Sequence, residues 1–398
     1  MKIVALHTDF RIYWPARLKA LNSYLIERES SLDVIEISGK GSPYAFDNTR
    51  RANDISWHIL FPDSKPEELS GKIIKPILFE LLDKLNPDVI LAGAIAFPSG
   101  ALAVQWANSR PNKRVIIFDD AKNDAVKRNF IVNFIKRNVY NGVDAMLYPA
   151  EPWIETGQFW GFDRTRLYFG VDVVDNDFWA EPVEKKTFDF KYFVAVGRQI
   201  PKKNFLTIVK AFHKYYKTVS DDSPFNLVLI GNGPEHKKIC DYIEKHNLGN
   251  IIHCYDYMSQ TELKGVYQNA DLLCVGSDIT ETWGLVINEA MCGGCAIIAS
   301  RQCGATDVLV QEGINGYKIE CHDIDGLAEA MLKYHRLSAD NKIKMQQASM
   351  HIISDWGLDR FCQGVYDACS YITEHHKRKG SIIAKIIQLN WYGQYRPV

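Results

Sequence analysis

Residues 281–289 read Glu281-Thr-Trp-Gly-Leu-Val-Ile-Asn-Glu289, and the residues around them decide the fold class. One apolar run, Asp271–Val275, precedes this stretch, and a second, Ala296–Ser300, follows it. Short apolar runs rich in β-branched residues are typical of buried strands in a parallel sheet. We therefore predict the order strand, loop, helix, strand. One carboxylate lies in the loop and the other about two turns into the helix.

The spacing of the two glutamates limits what they can do together. Glu281 and Glu289 would lie roughly 12 Å apart along a helix axis, at ~1.5 Å per residue. That distance is too long for a pair of carboxylates that shares one proton. It suits two hydroxyl-rich parts of one extended ligand, with a phosphate between them on the free amides of the helix start.

The same alternation of strands and helices runs through the whole chain. It predicts an α/β fold with parallel sheets that are covered on both faces. The predicted strands of the first half are Lys2–Leu6, Asp33–Ile37, Val89–Ala92, Val115–Phe118 and Ala145–Tyr148. Those of the second half are Tyr192–Gly197, Leu227–Ile230, Ile251–Cys254, Leu272–Val275 and Ala296–Ala299.

Two α/β units in series follow from this pattern, because the polar, proline-containing passage Ala180–Thr187 interrupts it. We expect an N-terminal, Rossmann-like domain over 1–182 and a C-terminal, Rossmann-like domain over 190–360. A helical segment over 361–398 is expected to return to the first domain. Ligands of open α/β sheets bind beyond the carboxyl ends of the strands, so the expected site is the cleft where those ends face each other.

Composition narrows the class of protein. The 398 residues are 46% hydrophobic and 24% charged, with a formal net charge of −1, which is ordinary for a soluble globular protein and gives no reason to expect nucleic acid. The N-terminus is predicted to be a strand and not a signal peptide, and no apolar run is long enough to span a membrane. Nine scattered cysteines fit reduced thiols in a cytosol. The Cys292 and Cys295 pair is interpreted as packing and not as a zinc site.

Two cations follow the first strand of the second half, in Gly197-Arg198-Gln-Ile-Pro-Lys-Lys203. Arg198 and Lys203 could converge on a diphosphate, since arginine binds phosphate oxygens in a forked manner. The alternative is a solvated basic loop, and the two residues alone do not decide between them.

The ordered set of motifs resembles the retaining GT-B glycosyltransferases of family 4, also called glycosyl transferases group 1. The motifs that carry the resemblance span about 192 to 320. They are Gly197-Arg198 with Lys203, Gly231-Asn-Gly233-Pro234, Glu262-Leu263, Ala270-Asp271, the two glutamates and Asn315-Gly316. The resemblance implies two Rossmann-like, doubly wound domains, of which 1–182 would bind the acceptor and 190–360 the donor. The donor would be a nucleotide sugar, here a UDP- or GDP-sugar.

The resemblance also implies a role for each matched residue. Arg198 and Lys203 would neutralise the donor diphosphate, so that no metal or other cofactor is expected. Glu289 would bind the ribose hydroxyls and Glu281 a hydroxyl of the transferred sugar. Tyr257 would lie against the base. The remaining donor contacts would be backbone amides at the helix start, from Thr282, Trp283, Gly284 and Leu285, and Trp283 is also expected to line the sugar pocket.

The N-terminal half departs from the family pattern in two places. The loop after the first strand contains Asp9-Phe10-Arg11 and no glycine, so its side chains are expected to shape the acceptor pocket. A histidine common in the family is replaced by Asp119, which follows the strand Val115–Phe118. Asp119 either binds an acceptor hydroxyl and takes its proton, or caps the following helix.

A basic amphipathic segment, Lys122–Tyr140, is predicted to be helical. It would either lie on an anionic membrane surface, which suits a lipid-linked acceptor, or pack as an ordinary surface helix. The C-terminal stretch that begins at His375 and contains Ile382 and Ile386 admits the same two interpretations.

The function that we expect is retaining transfer of a sugar to an acceptor hydroxyl, in surface polysaccharide or lipid-linked glycan assembly. The protein would be cytoplasmic, with peripheral contact to the inner membrane face left open. A sugar-nucleotide epimerase on a similar fold is the main alternative. A Rossmann-type oxidoreductase is disfavoured because the Gly231-Asn-Gly233 turn lacks the third glycine of a dinucleotide fingerprint, and a non-catalytic scaffold remains open.

Overall fold

The computed structural model describes residues 1–40, 54–219, 224–378 and 380–395. The chain divides into two compact units. Unit 1 comprises Met1–Val173 and Leu358–Val398, and unit 2 comprises Val174–Gly357. The sequence placed the first boundary between 182 and 190 and the second at 360, several residues later in each case.

Strands and helices alternate through both units. The strands are β1 (Lys2–His7), β2 (Ser31–Ser38), β3 (Ser56–Phe61), β4 (Val89–Ala92), β5 (Arg114–Phe118), β6 (Ala145–Tyr148), β7 (Leu167–Phe169), β8 (Tyr192–Val196), β9 (Asn226–Ile230), β10 (Ile252–Tyr255), β11 (Leu272–Val275), β12 (Ala296–Ser300) and β13 (Gly316–Ile319). The helices are α1 (Trp14–Ile26), α2 (Gly71–Leu85), α3 (Pro98–Asn108), α4 (Phe130–Tyr140), α5 (Ile154–Phe159), α6 (Asn176–Ala180), α7 (Phe205–Thr218), α8 (His236–Lys245), α9 (Gln260–Asn269), α10 (Val286–Cys292), α11 (Thr306–Leu309), α12 (Ile324–His335), α13 (Ala339–Ser354), α14 (Leu358–Glu374) and α15 (Ile382–Asn390).

The sheet of unit 1 has the strand order β3-β2-β1-β4-β5-β6-β7, and neighbouring strands are parallel. The chain winds outward from β1 to β3 and then returns to β4 on the other side of β1. That reversal opens a crevice beyond the carboxyl ends of β1 and β4, where open α/β sheets bind ligands. His7 ends β1, and Gly93 follows β4 directly.

The sheet of unit 2 repeats the arrangement with the order β10-β9-β8-β11-β12-β13, again with parallel neighbours. The reversal lies between β8 and β11. The segment that starts at Gly197 follows β8, and the segment that leads to Glu281 follows β11. The two stretches that the resemblance assigns to donor binding therefore follow neighbouring strands, at the same edge of the sheet.

The C-terminal helices belong to unit 1. Phe361, Val365 and Cys369 of α14 are buried in the same apolar cluster as Leu18 and Leu21 of α1. Burial of such side chains stabilises the packed state by about 1.5–3 kcal/mol each. The last segment of the chain is therefore part of the core of unit 1.

The predicted α/β fold is confirmed, and the differences concern edges and ends. Three strands were missed: β3, which is half-exposed, the three-residue β7, and β13, in which Lys318 interrupts the apolar pattern. The basic helix starts at Phe130 and not at Lys122, because the side chain of Asn129 accepts a hydrogen bond from the Val132 amide and caps it there.

Candidate functional site

Glycines bring two loops of unit 2 into direct contact at the sheet edge. Gly231 has φ +117°, and a Cβ added to it would lie 2.1 Å from the carbonyl oxygen of Gly197. Gly233 has φ +158°, and a Cβ added to it would lie 2.6 Å from the carbonyl oxygen of Gln199. A side chain at either position would separate the loops. The Gly-x-Gly turn therefore serves close backbone packing here.

A buried glutamine, which the sequence analysis missed, fastens the same loops. The Gln199 side chain donates to the Gly231 carbonyl at 2.8 Å, and its oxygen lies 2.8 Å from Nδ1 of His236. Its backbone amide donates to the Asn232 carbonyl at 2.9 Å. Gln199 follows Arg198 directly, so these bonds fix the backbone that carries the arginine. A glutamine beside a basic motif gives no signal that it is buried.

Lys203 ends a 3-10 turn, Pro201–Lys203, whose position is set by its neighbours. Asn204 adopts a left-handed conformation, with φ 54°, and its side chain donates to the Gly276 carbonyl at 3.2 Å. The Asp278 amide donates to the Lys202 carbonyl at 2.9 Å. The segment that carries Lys203 is thereby joined to the loop after β11.

Lys203 and Glu281, two of the predicted site residues, form an ion pair. Nζ of Lys203 lies 2.6 Å from Oε2 of Glu281, and the side chains are 15% and 11% exposed. The Glu281 backbone is held as well, since its carbonyl accepts from the Gly304 amide at 3.1 Å. The resemblance assigns these residues separate roles, Lys203 on the diphosphate and Glu281 on the sugar. The structure brings them together, so a ligand would meet a fixed pair of opposite charges.

The loop between the two glutamates lies against the turn after β12. A Cβ on Gly304 would come within 1.8 Å of the Thr282 carbonyl oxygen, and a Cβ on Gly284, at φ +97°, within 2.8 Å of Sγ of Cys303. The Cys303-Gly304 turn was not recognised in the sequence as part of the site. Leu285, which follows Gly284, is the N-cap residue of α10.

The side chain of Trp283 does not line an open pocket, which corrects one prediction. It is 2% exposed, its Nε1 donates to Oδ1 of Asn288 at 2.9 Å, and its ring centroid lies 5.6 Å from that of Trp356. The indole is part of the interior of unit 2. Any ligand contact by this residue would have to come from its backbone.

Glu289 lies in the first turn of α10, not two turns into the helix as predicted. The residue is 2% exposed, and its Oε2 accepts a hydrogen bond from the Tyr267 hydroxyl at 2.9 Å. A carboxylate in the first turn of a helix is favoured by the helix dipole. Glu289 is therefore a fixed acceptor under the loop that contains Glu281.

Tyr257, predicted to lie against a base, stands in the loop between β10 and α9. Its side chain is 52% exposed. The neighbouring Asp256 accepts a hydrogen bond from the Asn232 side chain at 2.7 Å. This bond links the loop after β10 to the glycine turn after β9, at the same edge of the sheet.

In unit 1, His7 borders the crevice between β1 and β4. A Cβ on Gly93 would lie 2.5 Å from Nδ1 of His7, so the imidazole covers this glycine. The ring centroid of His7 lies 5.2 Å from that of Phe118. Burial lowers the pKa of His7 to about 4, so the ring is neutral at neutral pH.

The predicted acceptor loop, Asp9-Phe10-Arg11, is only partly available for binding. Phe10 is 2% exposed and belongs to the core of unit 1, which corrects its assignment to an acceptor pocket. Nε of Arg11 lies 3.0 Å from Oδ2 of Asp9, and both side chains are mostly covered. The loop therefore presents an ion pair and not an aromatic surface.

Asp119 does not cap a helix, which removes one of its two interpretations. Its Oδ1 accepts from the Ala121 amide at 3.0 Å, and its Oδ2 from the Tyr140 hydroxyl at 3.3 Å. The next helix is α4, and its cap is Asn129. Burial raises the pKa of the Asp119 carboxyl, while the Lys136 ammonium opposes the shift.

A second buried carboxylate of unit 1, Asp172, was not singled out as a site residue. Its pKa is raised to about 8 by burial and by Asp120, against the effect of Arg17. The Arg17 guanidinium is buried too, and it donates to the Val173 carbonyl at 3.0 and 2.7 Å. Carboxyl groups of this kind become charged only when the pH rises or a cation approaches.

Within 1–40, 54–219, 224–378 and 380–395, no group of three or more His, Cys, Asp or Glu residues could hold a metal ion. In the same part of the chain, no helix has both the length and the hydropathy that a membrane crossing requires.

The chain is similar to a known protein family and to several known proteins. Residues 177–348 match the family described as Glycosyl transferases group 1. Poly(glycerol-phosphate) alpha-glucosyltransferase of Bacillus subtilis strain 168 is 25% identical over 229 residues, 55% of this chain and 33% of that protein. Lipopolysaccharide 1,2-N-acetylglucosaminetransferase of Salmonella typhimurium is 27% identical over 169 residues, 37% of this chain and 43% of that protein. The chain thus covers less than half the length of these relatives.

Solved structures agree with the fold. A glycosyltransferase from Rickettsia africae superposes with a TM-score of 0.72 at 16% identity, over 94% of this chain and 98% of that chain. The Anabaena protein HepE, in its complex with UDP, gives 0.70 at 15% identity over 93% and 100%. At these identities the likeness concerns the fold, and it confirms the expected GT-B fold with two Rossmann-like domains.

Proposed function

We propose that the chain transfers a sugar from a nucleotide diphosphate to an acceptor hydroxyl, because residues 177–348 match the family described as Glycosyl transferases group 1. Unit 2 would bind the donor and unit 1 the acceptor. The observation that carries this proposal is the Lys203–Glu281 ion pair at the reversal of the unit 2 sheet, on the segment that follows Arg198. Nucleotides bind at such reversals in open α/β sheets.

The donor diphosphate is assigned to Arg198 and Lys203. A diphosphate that approaches Lys203 would compete with Glu281 for the lysine. Oε2 of Glu281 could then accept a hydrogen bond from a sugar hydroxyl. Neutralisation by two cations supplies the stabilisation that a departing diphosphate needs, without assigning that task to a metal. The backbone amides of Thr282–Leu285 would complete the contact to phosphate.

The nucleoside is assigned to Glu289 and Tyr257. Glu289 is held in place by the Tyr267 hydroxyl, and a carboxylate fixed in this way can accept hydrogen bonds from two vicinal ribose hydroxyls. The exposed ring of Tyr257 offers a face on which a base could stack. The HepE complex contains UDP, which supports a uridine nucleotide as the first donor to try.

Transfer with retention is the mechanism that we propose. The bond from the anomeric carbon to the diphosphate oxygen breaks, and a bond from that carbon to the acceptor oxygen forms on the same face. The acceptor proton passes to the leaving diphosphate. Catalysis then rests on positioning and on charge stabilisation, and not on a protein nucleophile.

On the acceptor side, Asp119 and the Asp9–Arg11 pair are the residues that we assign to binding. Asp119 is held by the Tyr140 hydroxyl and has a raised pKa, so it can orient an acceptor hydroxyl by accepting its hydrogen bond. The two relatives named above act, by their names, on a glycerol-phosphate polymer and on lipopolysaccharide. They support a polysaccharide or a lipid-linked glycan as the acceptor.

A panel of nucleotide sugars, followed by nuclear magnetic resonance, tests the proposal. A donor is first selected by its effect on the melting temperature, since a ligand that binds only the folded state stabilises it. The protein is then incubated with that donor and with glycan acceptors, and the new anomeric signals are recorded. We expect a glycosidic bond with the donor's configuration and free nucleoside diphosphate.

The same spectra separate transfer from its main alternative. An epimerase would change the sugar of the nucleotide without an acceptor. It would release no nucleoside diphosphate and form no glycosylated acceptor. The family match favours transfer. An epimerised nucleotide sugar, or a product of inverted configuration, would contradict the proposed reaction.

A further inference from the structure

Two helices of unit 1 expose large apolar side chains that nothing in the described chain covers. On α4, Phe130 is 80% exposed, and Ile131 and Phe134 are about half-exposed. On α15, Ile382 is 78% exposed, and Ile383, Ile386 and Leu389 are more than half-exposed. Single exposed apolar residues are common on soluble proteins, but two neighbouring helices with this pattern are a candidate interaction surface.

The apolar face of α15 points away from the protein. Ala384 and Gln388, one turn apart, are the buried residues of this helix. Ile382, Ile386 and Leu389 follow the opposite side, at the spacing of a helical face. An amphipathic helix normally turns its apolar face inward, and α15 does the reverse.

Helices α4 and α15 pack against each other, so their exposed faces are neighbours. The Gln388 side chain donates to the Asn138 carbonyl of α4 at 2.8 Å and accepts from the Asn108 side chain of α3 at 3.2 Å. These bonds fix α15 at its buried side. We call the exposed faces of α4 and α15 together the two-helix surface.

The chain after α15 connects this surface to the carboxyl edge of the unit 1 sheet. Nε1 of Trp391 donates to the Ile95 carbonyl at 2.7 Å, and the Gln394 amide donates to the Ala96 carbonyl at 2.8 Å. Ile95 and Ala96 lie in the loop after β4, which borders the crevice assigned to the acceptor. The C-terminal end of α15 is therefore close to that edge.

A cationic cavity of about 600 Å³ runs along one flank of α15. Lys385 and Gln388 of α15 line its helix side. The remaining wall comes from the end of α3 and the loop after it, the start of β5, Gly142 and the segment before α15, and its cations are Arg110, Arg114, Lys377 and Arg378.

Most of these charges are not neutralised. Lys377 donates to the carbonyls of Ala107 and Arg110, and Arg378 to the Gly161 carbonyl at 2.7 Å. Hydrogen bonds to carbonyl oxygens leave the positive charge in place. The acidic groups nearby are Asp83, which pairs with Arg110, the buried Asp144, and Asp163, which acts on Arg378.

The charge of the surface differs from that of the whole chain. The full chain has a formal net charge of −1, but residues 375–398 contain no aspartate or glutamate. The stretch 122–140 contains one acidic residue, Asp124, and the cations Lys122, Lys127, Arg128, Lys136 and Arg137. A surface that combines exposed apolar side chains with neighbouring cations is complementary to an anionic lipid bilayer.

We propose that the two-helix surface docks on an anionic phospholipid membrane, with the apolar side chains among the acyl chains and lipid phosphates at the cationic cavity. Helix α15 has nine residues, about 13 Å in length at ~1.5 Å per residue, far less than the ~30 Å of a bilayer core. It therefore lies in the interface. Docking would present the carboxyl edge of unit 1 to acceptors carried by the membrane, and it does not depend on the proposed sugar transfer.

Vesicle flotation of the full chain tests the proposal. The probes are vesicles of phosphatidylcholine alone and of equal parts phosphatidylcholine and phosphatidylglycerol. We expect the protein to float with the anionic vesicles and much less with the neutral ones. The variant Ile382→Ser/Ile386→Ser should weaken anionic binding on the order of tenfold or more, because both side chains leave the acyl region. Lys385→Glu should weaken it by about 25-fold, since one charge near such a surface is worth about fivefold and two are changed.

Matched controls come from elsewhere in unit 1. Ile26→Ser/Ile73→Ser removes two isoleucines that are 62% and 52% exposed on α1 and α2, and Lys72→Glu reverses an exposed charge of α2. Both controls should bind as the unaltered protein does. All substituted positions are exposed, and an unchanged melting temperature verifies folding.

Three outcomes would overturn the proposal. They are failure of the unaltered protein to float, equal binding of Ile382→Ser/Ile386→Ser and its control, and equal binding to neutral and anionic vesicles. Sedimentation without lipid tests whether a second copy of the chain occupies the surface instead. If the unaltered protein is a dimer that Ile382→Ser/Ile386→Ser converts to a monomer, the surface binds a second copy of the chain and not a membrane.

Discussion

The two sheet edges at which ligands are expected share one topology and differ in chemistry. At the edge of unit 2, Gly197 and Gly231 pack backbone against backbone, and the Lys203–Glu281 pair fixes two charges. At the edge of unit 1, His7 covers Gly93, and Asp119 carries a raised pKa. A fixed cation suits a diphosphate, which is anionic. A carboxyl group suits a hydroxyl, because its oxygen can accept the hydroxyl's hydrogen bond.

The largest effect is expected at the ion pair of unit 2. Lys203→Ala removes a cation from the proposed diphosphate site and leaves Glu281 covered without its partner, so kcat should fall on the order of a thousandfold. Lys203→Arg is the conservative control and should retain a measurable fraction. Steady-state kinetics with the selected donor measure both. Full activity of Lys203→Ala would show that the edge of unit 2 does not stabilise the leaving group.

The backbone packing of the same edge can be broken separately. Gly231→Ala places a Cβ where it meets the Gly197 carbonyl oxygen at 2.1 Å, at a φ of +117°. We expect a loss of about 2 kcal/mol or more in the free energy of unfolding, measured in urea. Gly249→Ala is the control, because a Cβ there would meet nothing within 4 Å. Equal stability of the two variants would contradict close loop packing.

Activity should respond to pH through Asp119 of unit 1. Because the pKa of Asp119 is raised, its carboxylate is lost on acidification at a higher pH than an ordinary aspartate. Activity should therefore fall on that limb of the pH profile. Asp119→Asn should remove the limb and lower kcat about tenfold, whereas the exposed Asp124→Asn should change neither. An unaltered limb in Asp119→Asn would assign the titration to another group.

The smallest effect is expected on stability at Asp172. Its pKa is about 8 in the folded protein, above the ordinary value of 3.8. Between these values the folded state holds a proton that the unfolded state has lost, so stability falls as the pH rises through this window. Asp172→Asn should flatten that slope, which one proton sets at about 1.4 kcal/mol per pH unit. Urea unfolding at several pH values measures it, and parallel slopes for both proteins would contradict the raised pKa.

The sequence predicted the centre of each sheet well and its borders poorly. Strands buried on both faces, such as Val89–Ala92 and Leu272–Val275, were predicted with their observed bounds because every residue in them is apolar. The edge strand Ser56–Phe61 was missed because one face meets solvent and its pattern is mixed. Local pattern carries the signal only where burial is complete.

Within the site, chain positions were predictable but contacts were not. Motif order located Lys203 and Glu281, yet their ion pair depends on how the loops after β8 and β11 meet. Phe10 and Trp283 were assigned to pockets, but each faces the interior, and a lone aromatic beside a motif does not reveal its direction. The raised pKa of Asp119 depends on burial and on Lys136 of α4, which no local pattern connects to it.

The central claim, that the edge of unit 2 holds a nucleoside diphosphate, is tested most directly by titration calorimetry. Uridine and guanosine diphosphate would be titrated into the unaltered protein, into Arg198→Ala/Lys203→Ala and into the exposed double control Lys237→Ala/Lys238→Ala. We predict that at least one nucleotide binds the unaltered protein and the control equally, and that the Arg198→Ala/Lys203→Ala variant loses on the order of a hundredfold in affinity. Equal affinity in all three proteins would contradict the claim, and so would an unaltered protein that binds neither nucleotide.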